Sequence, residues 1–340
     1  MVKSNFLLFI IVYFFICLFT LSCAIDKNKP ACSEIPSIQV IDDSLSLEDA
    51  CAKISLSVLS HLGTIDTNRV IIFSRMLDTT ADSLKRVLEN NAKSLAGKQA
   101  ILDVVYNQWK MGFDPQDDNI KTVLPHCAFK ARKGNCMGVS LMILMLAERL
   151  GCPIYGVVLP GHFFCRYDDG AAMVNIEPNK GGFSHPDGYY RTKYLSKNDS
   201  WYRLEKLSKI ETIGVFYYTI GTLFLNRNDP GFTVALLQES CRCFSSLVEA
   251  KGNYALALAL CGKRDLAMNI FKELFETNPS LVNLAANYGA VALSAGRYEQ
   301  AFQIYKKGLA YFPDDPKLLI GLSQAYVARS KKDSNRTDAK

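Results

Sequence analysis

The hydrophobic pattern of the chain begins, after residue 45, with apolar residues that recur every three or four positions. This spacing predicts amphipathic helices, because residues three or four apart lie on one face of a helix. Ser46, with Asp49 three residues later, is typical of a helix start. The predicted helices cover about 46–62, 66–77, 80–93 and 97–110. The first part of the globular chain is therefore predicted to be helical.

From Asn135 the pattern changes to an almost continuous apolar stretch, CMGVSLMILMLAERL, which ends at Gly151 and Pro153. Such a stretch predicts a helix that is buried on most sides and stops at the glycine. Short β-rich runs then follow between turn residues, at 154–159, 162–167 and 172–177. The middle of the chain is therefore predicted to be α+β.

The last third of the chain contains an internal repeat with a period of 34 residues. Gly262, Ala267, Phe271 and Pro279 recur as Gly296, Ala301, Tyr305 and Pro313. The period and the segment LAANYGAVALSAGRYEQAFQIYKKGLAYFPDDP resemble the tetratricopeptide consensus, which implies paired helices. Less regular units are expected at 248–281 and at 210–247, and residues 316–330 are expected to form a last helix that covers the open end of the stack.

The N-terminal segment 6–24 has no charged residue and follows Lys3, which is typical of an export signal or a membrane anchor. The sequence Thr20-Leu21-Ser22-Cys23 resembles a bacterial lipobox, whose cysteine becomes a lipidated N-terminus. Three outcomes stay open: lipidation at Cys23, an uncleaved anchor, and ordinary cleavage. Each predicts an exported protein of the cell envelope, held at the membrane by this segment in the first two cases.

The composition argues against several kinds of binding partner. The 39 basic and 33 acidic residues give a net charge of +6 without a basic run, so a nucleic acid partner is not expected. The 11 cysteines form no CxxC pair, so most are predicted to be buried thiols, and no metal site or cofactor is predicted. Cys241 and Cys243 point to different faces of one predicted helix, which argues against a shared metal.

Cys136 stands at the start of the predicted buried helix. Free backbone N–H groups and the helix dipole stabilise a thiolate there, and the same groups can donate to an oxyanion. A cysteine at a helix start is, however, usually a small apolar core residue, so its position alone does not establish a nucleophile. A histidine and a carboxylate close by would favour catalysis.

A predicted hairpin supplies both groups. Asp169-Gly170 is a favoured two-residue turn, and such a turn makes the numbers of paired residues add to 339. His162 then lies directly opposite Glu177. Opposite side chains have Cβ atoms about 5 Å apart, close enough for a carboxylate to hold one imidazole nitrogen while the other faces a thiol.

A slip of two residues in this register would place Asn175 opposite His162, so Asn175 is the reserve candidate for the third position. The alternative interpretation is a structural His162 and an exposed Glu177. His126 and His185 are interpreted as solvated loop histidines and are not assigned a role.

These residues lie within RKGNCMGVSLMILMLAERLGCPIYGVVLPGHFFCRYDDG and NIEPNKGG, which resemble the SirB-type branch of the transglutaminase-like superfamily over about residues 98–182. The resemblance implies a papain-like α+β core with Cys136, His162 and Glu177 as nucleophile, base and acid. Glu177 departs from the usual aspartate of the superfamily. Cys136 is present here, although many SirB-type members lack that cysteine.

The predicted architecture is therefore an α+β transglutaminase-like core followed by an all-α repeat domain. The expected boundaries are a signal or anchor at 1–23, a tether at 24–43, the core at 44–207, the repeats at 208–330 and a polar tail at 331–340. The leading functional hypothesis is a cysteine hydrolase or acyltransferase whose repeats bind a protein or peptide substrate. The alternative is a non-catalytic envelope protein that binds partners through its repeats.

Overall fold

The computed structural model describes residues 32, 35–114, 119–195 and 204–337. The described residues divide into two compact units. The first unit consists of those within 37–223 and 239–245, and the second, here the repeat unit, of those within 32–36, 224–238 and 246–337. The predicted export segment and Cys23 lie outside the described residues. Within the described part of the chain, no helix has the length and apolar character needed to cross a membrane.

The first unit begins with three helices, which are α1 (Leu47–His61), α2 (Thr67–Leu88) and α3 (Leu95–Asp103). The Ser46 side chain accepts a hydrogen bond from the Asp49 amide at 3.1 Å, so the predicted cap is present. The predicted break between 66–77 and 80–93 is wrong, because α2 is one helix. Its buried residues Phe73, Leu77 and Ala81 form a single stripe, and no Gly or Pro interrupts it.

The predicted helix at 97–110 instead consists of α3 and a π-helical turn at Val104–Gln108. Short elements follow, namely β1 (Gly112–Phe113), α4 (Ile120–Val123), α5 (Pro125–Ala131) and β2 (Lys133–Gly134). β1 and β2 pair in parallel. The predicted buried helix is α6 (Cys136–Leu150), which ends at Gly151 with φ of 63°.

A three-stranded antiparallel sheet packs on α6 in the order β3-β4-β5. Its strands are β3 (Ile154–Leu159), β4 (His162–Asp168) and β5 (Met173–Ile176). A 3-10 turn at Pro178–Lys180 and helix α7 (Asp187–Tyr194) follow β5. The predicted α+β class is therefore observed.

The segment predicted to be a tether up to residue 43 is packed from Gln39 onward, so that part of the prediction is wrong. The Tyr217 hydroxyl donates to the Gln39 carbonyl at 2.9 Å, and Ile41 is fully buried. Lys209 donates to the Asp43 carbonyl at 2.9 Å. Tyr217 and Lys209 lie on α8 (Lys209–Asn226), which comes more than 160 residues later in the chain, so local composition could not reveal this contact.

Helix α9 (Pro230–Cys243), like α8, is divided between the two units, and the five helices that follow it belong to the repeat unit. Its helices are α10 (Val248–Leu260), α11 (Arg264–Thr277), α12 (Val282–Ser294), α13 (Tyr298–Tyr311) and α14 (Pro316–Thr337). The helices α10, α12 and α14 begin 34 residues apart, as do α11 and α13. The predicted period is therefore confirmed. The last helix is longer than predicted, because residues 331–337 of the expected polar tail are helical.

Close approach of the repeat helices depends on small residues. A Cβ atom at Gly289 on α12 would lie 2.4 Å from the Tyr305 ring on α13. Gly262 and Gly296, one period apart, have φ of 82° and 72° and make the turns between paired helices.

One disulfide, Cys32 to Cys261, lies within the repeat unit and joins residues 229 positions apart. It was not predicted, because neither cysteine belongs to a recognisable spacing pattern. Among the described residues, Cys51, Cys127, Cys152, Cys165 and Cys243 are buried thiols.

His126 is buried, so its interpretation as a solvated loop histidine is wrong. It lies in α5 with an exposed fraction of 3%, and its Nε2 is 3.3 Å from the Cys127 sulfur. Burial, and secondarily the Arg69 charge, lower the pKa of His126 from 6.5 to about 4.

This lowered pKa predicts a loss of stability in mild acid. The unfolded chain binds a proton at His126 near pH 6.5, while the folded chain resists protonation down to about pH 4. The unfolding free energy should therefore fall across this window, by at most about 3 kcal/mol from this group. Urea denaturation at a series of pH values should show a smaller fall for His126→Leu. His61→Leu, at an exposed position, controls for the loss of a histidine, and equal pH slopes for wild type and His126→Leu would contradict the assignment.

Candidate functional site

The start of α6 is held in place by Asn135. Its side chain accepts a hydrogen bond from the Gly138 amide at 2.9 Å, and its own amide donates to the Thr122 carbonyl at 3.1 Å. Asn135 is only 4% exposed. The residue after this cap is Cys136, a half-buried thiol at the first helical position. The helix dipole at this position favours the thiolate.

Gly138 allows the helix start to approach the backbone of α4. A Cβ atom there would lie 2.2 Å from the Thr122 carbonyl oxygen, which is backbone and cannot rotate away. The turn that carries Cys136 is therefore fixed both by a hydrogen-bonded cap and by a contact that only glycine permits.

The hairpin register differs from the predicted one. Arg166 pairs with Asn175 and Asp168 with Met173, so paired residue numbers add to 341 rather than 339. The loop is four residues long, because the Asp169 side chain accepts hydrogen bonds from the amides of Ala171 and Ala172, at 2.9 and 2.7 Å. This local bonding replaces the expected two-residue turn at Asp169-Gly170.

His162 and Glu177 nevertheless meet. The shift of two residues keeps both side chains on the same face of the sheet, since faces alternate with a period of two. His162 Nε2 lies 3.0 Å from Glu177 Oε2. The two residues are 5% and 3% exposed, so the contact is buried.

The second oxygen of Glu177 has its own partner. Glu177 Oε1 accepts a hydrogen bond from the Asn179 amide at 3.1 Å, which caps the 3-10 turn. Burial tends to raise the pKa of Glu177, but the hydrogen bond and charge of His162, with the Asn179 amide, hold that pKa below its ordinary value. The carboxylate is therefore ionised and oriented toward the imidazole.

Asn175, the reserve candidate, is occupied elsewhere. Its Oδ1 accepts from Arg166 Nε at 2.7 Å, and its Nδ2 donates to the His185 carbonyl at 2.9 Å and to Asp187 Oδ1 at 2.8 Å. These contacts attach the start of α7 to the sheet. The structure brings His162 together with Glu177, and gives Asn175 a role in holding α7.

Helix α7 lies along β4 and contacts every second residue of that strand. Arg166 Nη2 is 2.5 Å from Asp187 Oδ1 at the start of the helix. The last residue of the helix, Tyr194, stacks on His162 with ring centroids 4.4 Å apart and an interplanar angle of 4°. Both contacts form because Asp187 and Tyr194 are two helical turns apart and therefore lie on the same side of α7.

A second aromatic pair lies between these two contacts. Phe164 and Tyr190 stack with centroids 4.0 Å apart. Tyr190 is fully buried, and burial, followed by the charge of the nearby Glu177, raises the pKa of Tyr190. Sequence reasoning missed Tyr190 and Tyr194. The signal that could have found them is the spacing Asp187, Tyr190 and Tyr194, one face of a helix.

The start of α6 and the turn after Glu177 belong to one neighbourhood. β2 immediately precedes Cys136 and pairs with β1, and β1 contacts the 3-10 turn 178–180. Helix α6 contacts the same turn, and the Tyr106 hydroxyl donates to the Pro178 carbonyl at 3.1 Å. A thiol at a helix start and a buried imidazole–carboxylate pair are the groups that nucleophilic acyl transfer uses.

Two family descriptions match parts of the chain. Residues 73–197 match the sequence model of the transglutaminase-like superfamily, a range that includes Cys136, His162 and Glu177. Residues 292–334 match the sequence model of the tetratricopeptide repeat.

Two curated proteins, each described as a UPF0162 protein, come from the Temecula1 and 9a5c strains of Xylella fastidiosa. Each is 31% identical to this chain over 70 residues. The match covers 21% of this chain and 23% of each relative, so the chain matches less than a quarter of their length.

Solved structures are similar to parts of the chain. Menin is 13% identical, with coverage of 69% of this chain and 59% of menin, at a TM-score of 0.45. The first tetratricopeptide domain of human RPAP3 is 14% identical, with coverage of 36% and 98%, at a TM-score of 0.35. MamA from Desulfovibrio magneticus is 24% identical, with coverage of 35% and 67%, at a TM-score of 0.32.

Proposed function

Because this chain contains a transglutaminase-like domain and tetratricopeptide repeats, we propose that it is a cysteine hydrolase or acyltransferase with Cys136, His162 and Glu177 as its triad. The observation that carries the proposal is the buried 3.0 Å contact of His162 with Glu177. Glu177 is 3% exposed, so it does not fit the alternative interpretation of an exposed strand carboxylate. Within the superfamily, the motifs around these residues favour the SirB-type branch.

The proposal gives each imidazole nitrogen a role. Nε2 of His162 is engaged by Glu177, so Nδ1 is the nitrogen that exchanges a proton with the thiol. The ionised Glu177 favours the imidazolium that forms when the thiol loses its proton. Tyr194 covers one face of the ring and limits its rotation.

The reaction then proceeds in two steps. The Cys136 thiolate attacks an amide or ester carbonyl, and the backbone N–H groups at the start of α6 bind the resulting oxyanion. His162 gives its proton to the leaving amine or alcohol as the thioester forms. Water or an amine next attacks the thioester, His162 takes the proton of that nucleophile, and the thiolate leaves. Water as acceptor makes the protein a hydrolase, and an amine makes it a transferase.

The repeats favour a protein or peptide substrate. Tetratricopeptide repeats generally bind protein segments on the extended surface that stacked helices create. The same property supports the second candidate function, a non-catalytic binding protein. The packed helix pairs α10–α11 and α12–α13 are the observation that favours this candidate.

A thiol probe separates these two functions. An amide- or ester-based probe that acylates active thiols should label the wild type and should not label Cys136→Ala, because that change removes the nucleophile. Cys241→Ala, at another half-buried thiol, is the matched control and should keep the label. Equal labelling of wild type and Cys136→Ala, measured by intact-protein mass, would reject the catalytic function and leave the binding function.

The two candidates for the third position predict different kinetics in the same assay. Glu177→Gln keeps the shape of the side chain but removes the charge, so it should lower the labelling rate by about two or more powers of ten, as in other triads. Asn175→Ala should lower the rate less, because Asn175 bonds Arg166 and Asp187 rather than the imidazole. A larger effect of Asn175→Ala would transfer the orienting role to the network that holds α7.

We also propose that the protein is exported and held at the cell envelope by its N-terminal segment. The Cys32–Cys261 disulfide supports this, since disulfides persist mainly in oxidising compartments. A single acyl chain binds membranes only marginally, so lipidation at Cys23 would need two or more chains for stable anchoring. Mass analysis of the membrane-extracted protein should show a modified Cys23 as its first residue. An intact Met1 would establish an uncleaved anchor, and a reduced chain in the cytoplasm would reject export.

A further inference from the structure

Two exposed lysines lie beside the candidate site, on the two elements that follow Glu177. Lys180 ends the 3-10 turn that the Glu177 side chain caps, and its amide donates to the Glu177 carbonyl at 3.2 Å. Lys193 lies on α7 and directly precedes Tyr194, the residue that stacks on His162. Neither lysine has a part in the chemical steps proposed above.

Lys193 is connected to the imidazole through one aromatic ring. Its Nζ lies 4.7 Å from the centroid of the Tyr194 ring, and that ring lies 4.4 Å from the ring of His162. Burial tends to raise the pKa of Glu177, whereas its hydrogen bond to the imidazole and, to a smaller extent, the charge of Lys193 lower it. The ammonium group therefore acts on the same pair of groups that the proposed reaction uses.

The two lysines share a second ring, that of Tyr189. The ammonium groups of Lys180 and Lys193 lie 5.9 and 5.3 Å from the Tyr189 ring centroid. Lys193 Nζ also donates to the Tyr189 hydroxyl at 3.1 Å. Because an aromatic ring attracts cations, Tyr189 holds two positive charges together beside the site.

These two charges have no carboxylate partner within the part of the chain that the structure describes. Elsewhere in the same unit, Lys206 Nζ lies 3.0 Å from Asp168 Oδ2. Neither Lys180 nor Lys193 forms such an ion pair with a described carboxylate. The nearby Glu177 is 3% exposed and is engaged by the imidazole. An anionic group of a substrate would therefore meet two ammonium groups that are available to bind it.

The proposed substrate determines which anion this is. Peptides carry their negative charge on carboxylates, and a lysine binds a carboxylate as a point charge at the end of a flexible chain. Two such chains can adjust to one side-chain carboxylate of a bound peptide. Building on the proposed function, we propose that Lys180 and Lys193 select substrates with an acidic residue beside the acyl group that Cys136 accepts. The lysines bind that carboxylate and take no part in proton transfer.

Two matched probes test this selectivity in the full chain. They are ester probes that acylate a thiol and are alike except for a glutamate or a glutamine next to the reactive carbonyl. The glutamate probe should label wild type at Cys136 at least about fivefold faster at low salt, an advantage that two exposed ion pairs support. The ratio of the two rates should fall toward one as salt screens the charges. Labelling is measured by intact-protein mass, with Cys136→Ala as the blank.

Lysine variants assign the selectivity to this pair. Lys180→Arg with Lys193→Arg keeps both charges and should keep the ratio, whereas Lys180→Met with Lys193→Met should bring it close to one. Reversal to glutamate at both positions should make the glutamine probe the faster one, because the charges then repel the acidic probe. Lys53→Glu with Lys85→Glu is the matched control, since these exposed lysines of α1 and α2 change the net charge equally. This control should keep the wild-type ratio.

The outcomes separate this inference from the proposed function. Labelling of Cys136 at equal rates by both probes would overturn the acidic selectivity and leave the hydrolase or acyltransferase function in place. A control pair that lowers the ratio as much as reversal of Lys180 and Lys193 would assign the effect to net charge and would also overturn the inference. Absence of labelling by either probe would reject the proposed function, and this inference with it.

Discussion

The buried contact between His162 and Glu177 is the interaction on which the candidate site depends. Both side chains are almost inaccessible to water, and an ionisable group buried without a partner costs several kcal/mol or changes its protonation state. Each residue therefore requires the other, and the Asn179 amide satisfies the remaining carboxylate oxygen. The neighbouring elements follow from this pair, because the 3-10 turn is capped by Glu177 and the end of α7 packs its tyrosine on the imidazole.

The pairing could be predicted from the sequence although the register could not. The predicted turn chemistry was wrong, because the Asp169 carboxylate bonds two backbone amides and the Tyr167 hydroxyl, contacts that form only in the folded hairpin. The error amounts to two residues. Since side chains on a strand alternate with that same period, His162 and Glu177 remain on one face. An error of one residue would have separated them.

Long-range contacts account for most of what sequence reasoning did not predict. Tyr194 lies 32 positions after His162, and the packing of Gln39 on Tyr217 joins residues 178 positions apart. No periodic pattern connects such residues. The break expected within α2 failed for a different reason, because the apolar stripe continues through Leu77 and Ala81 and tertiary burial stabilises one long helix.

The helix positions of the repeats were predicted more closely because each repeat packs only against its neighbours. A period of 34 residues repeats the same contacts, so the helix starts recur at the expected positions. The period also indicates which face of the first helix in each repeat is covered by the second helix. On α12 that face is buried and carries Ala285 and Ala292, whereas the equivalent positions of α14 are exposed and carry Leu319 and Tyr326.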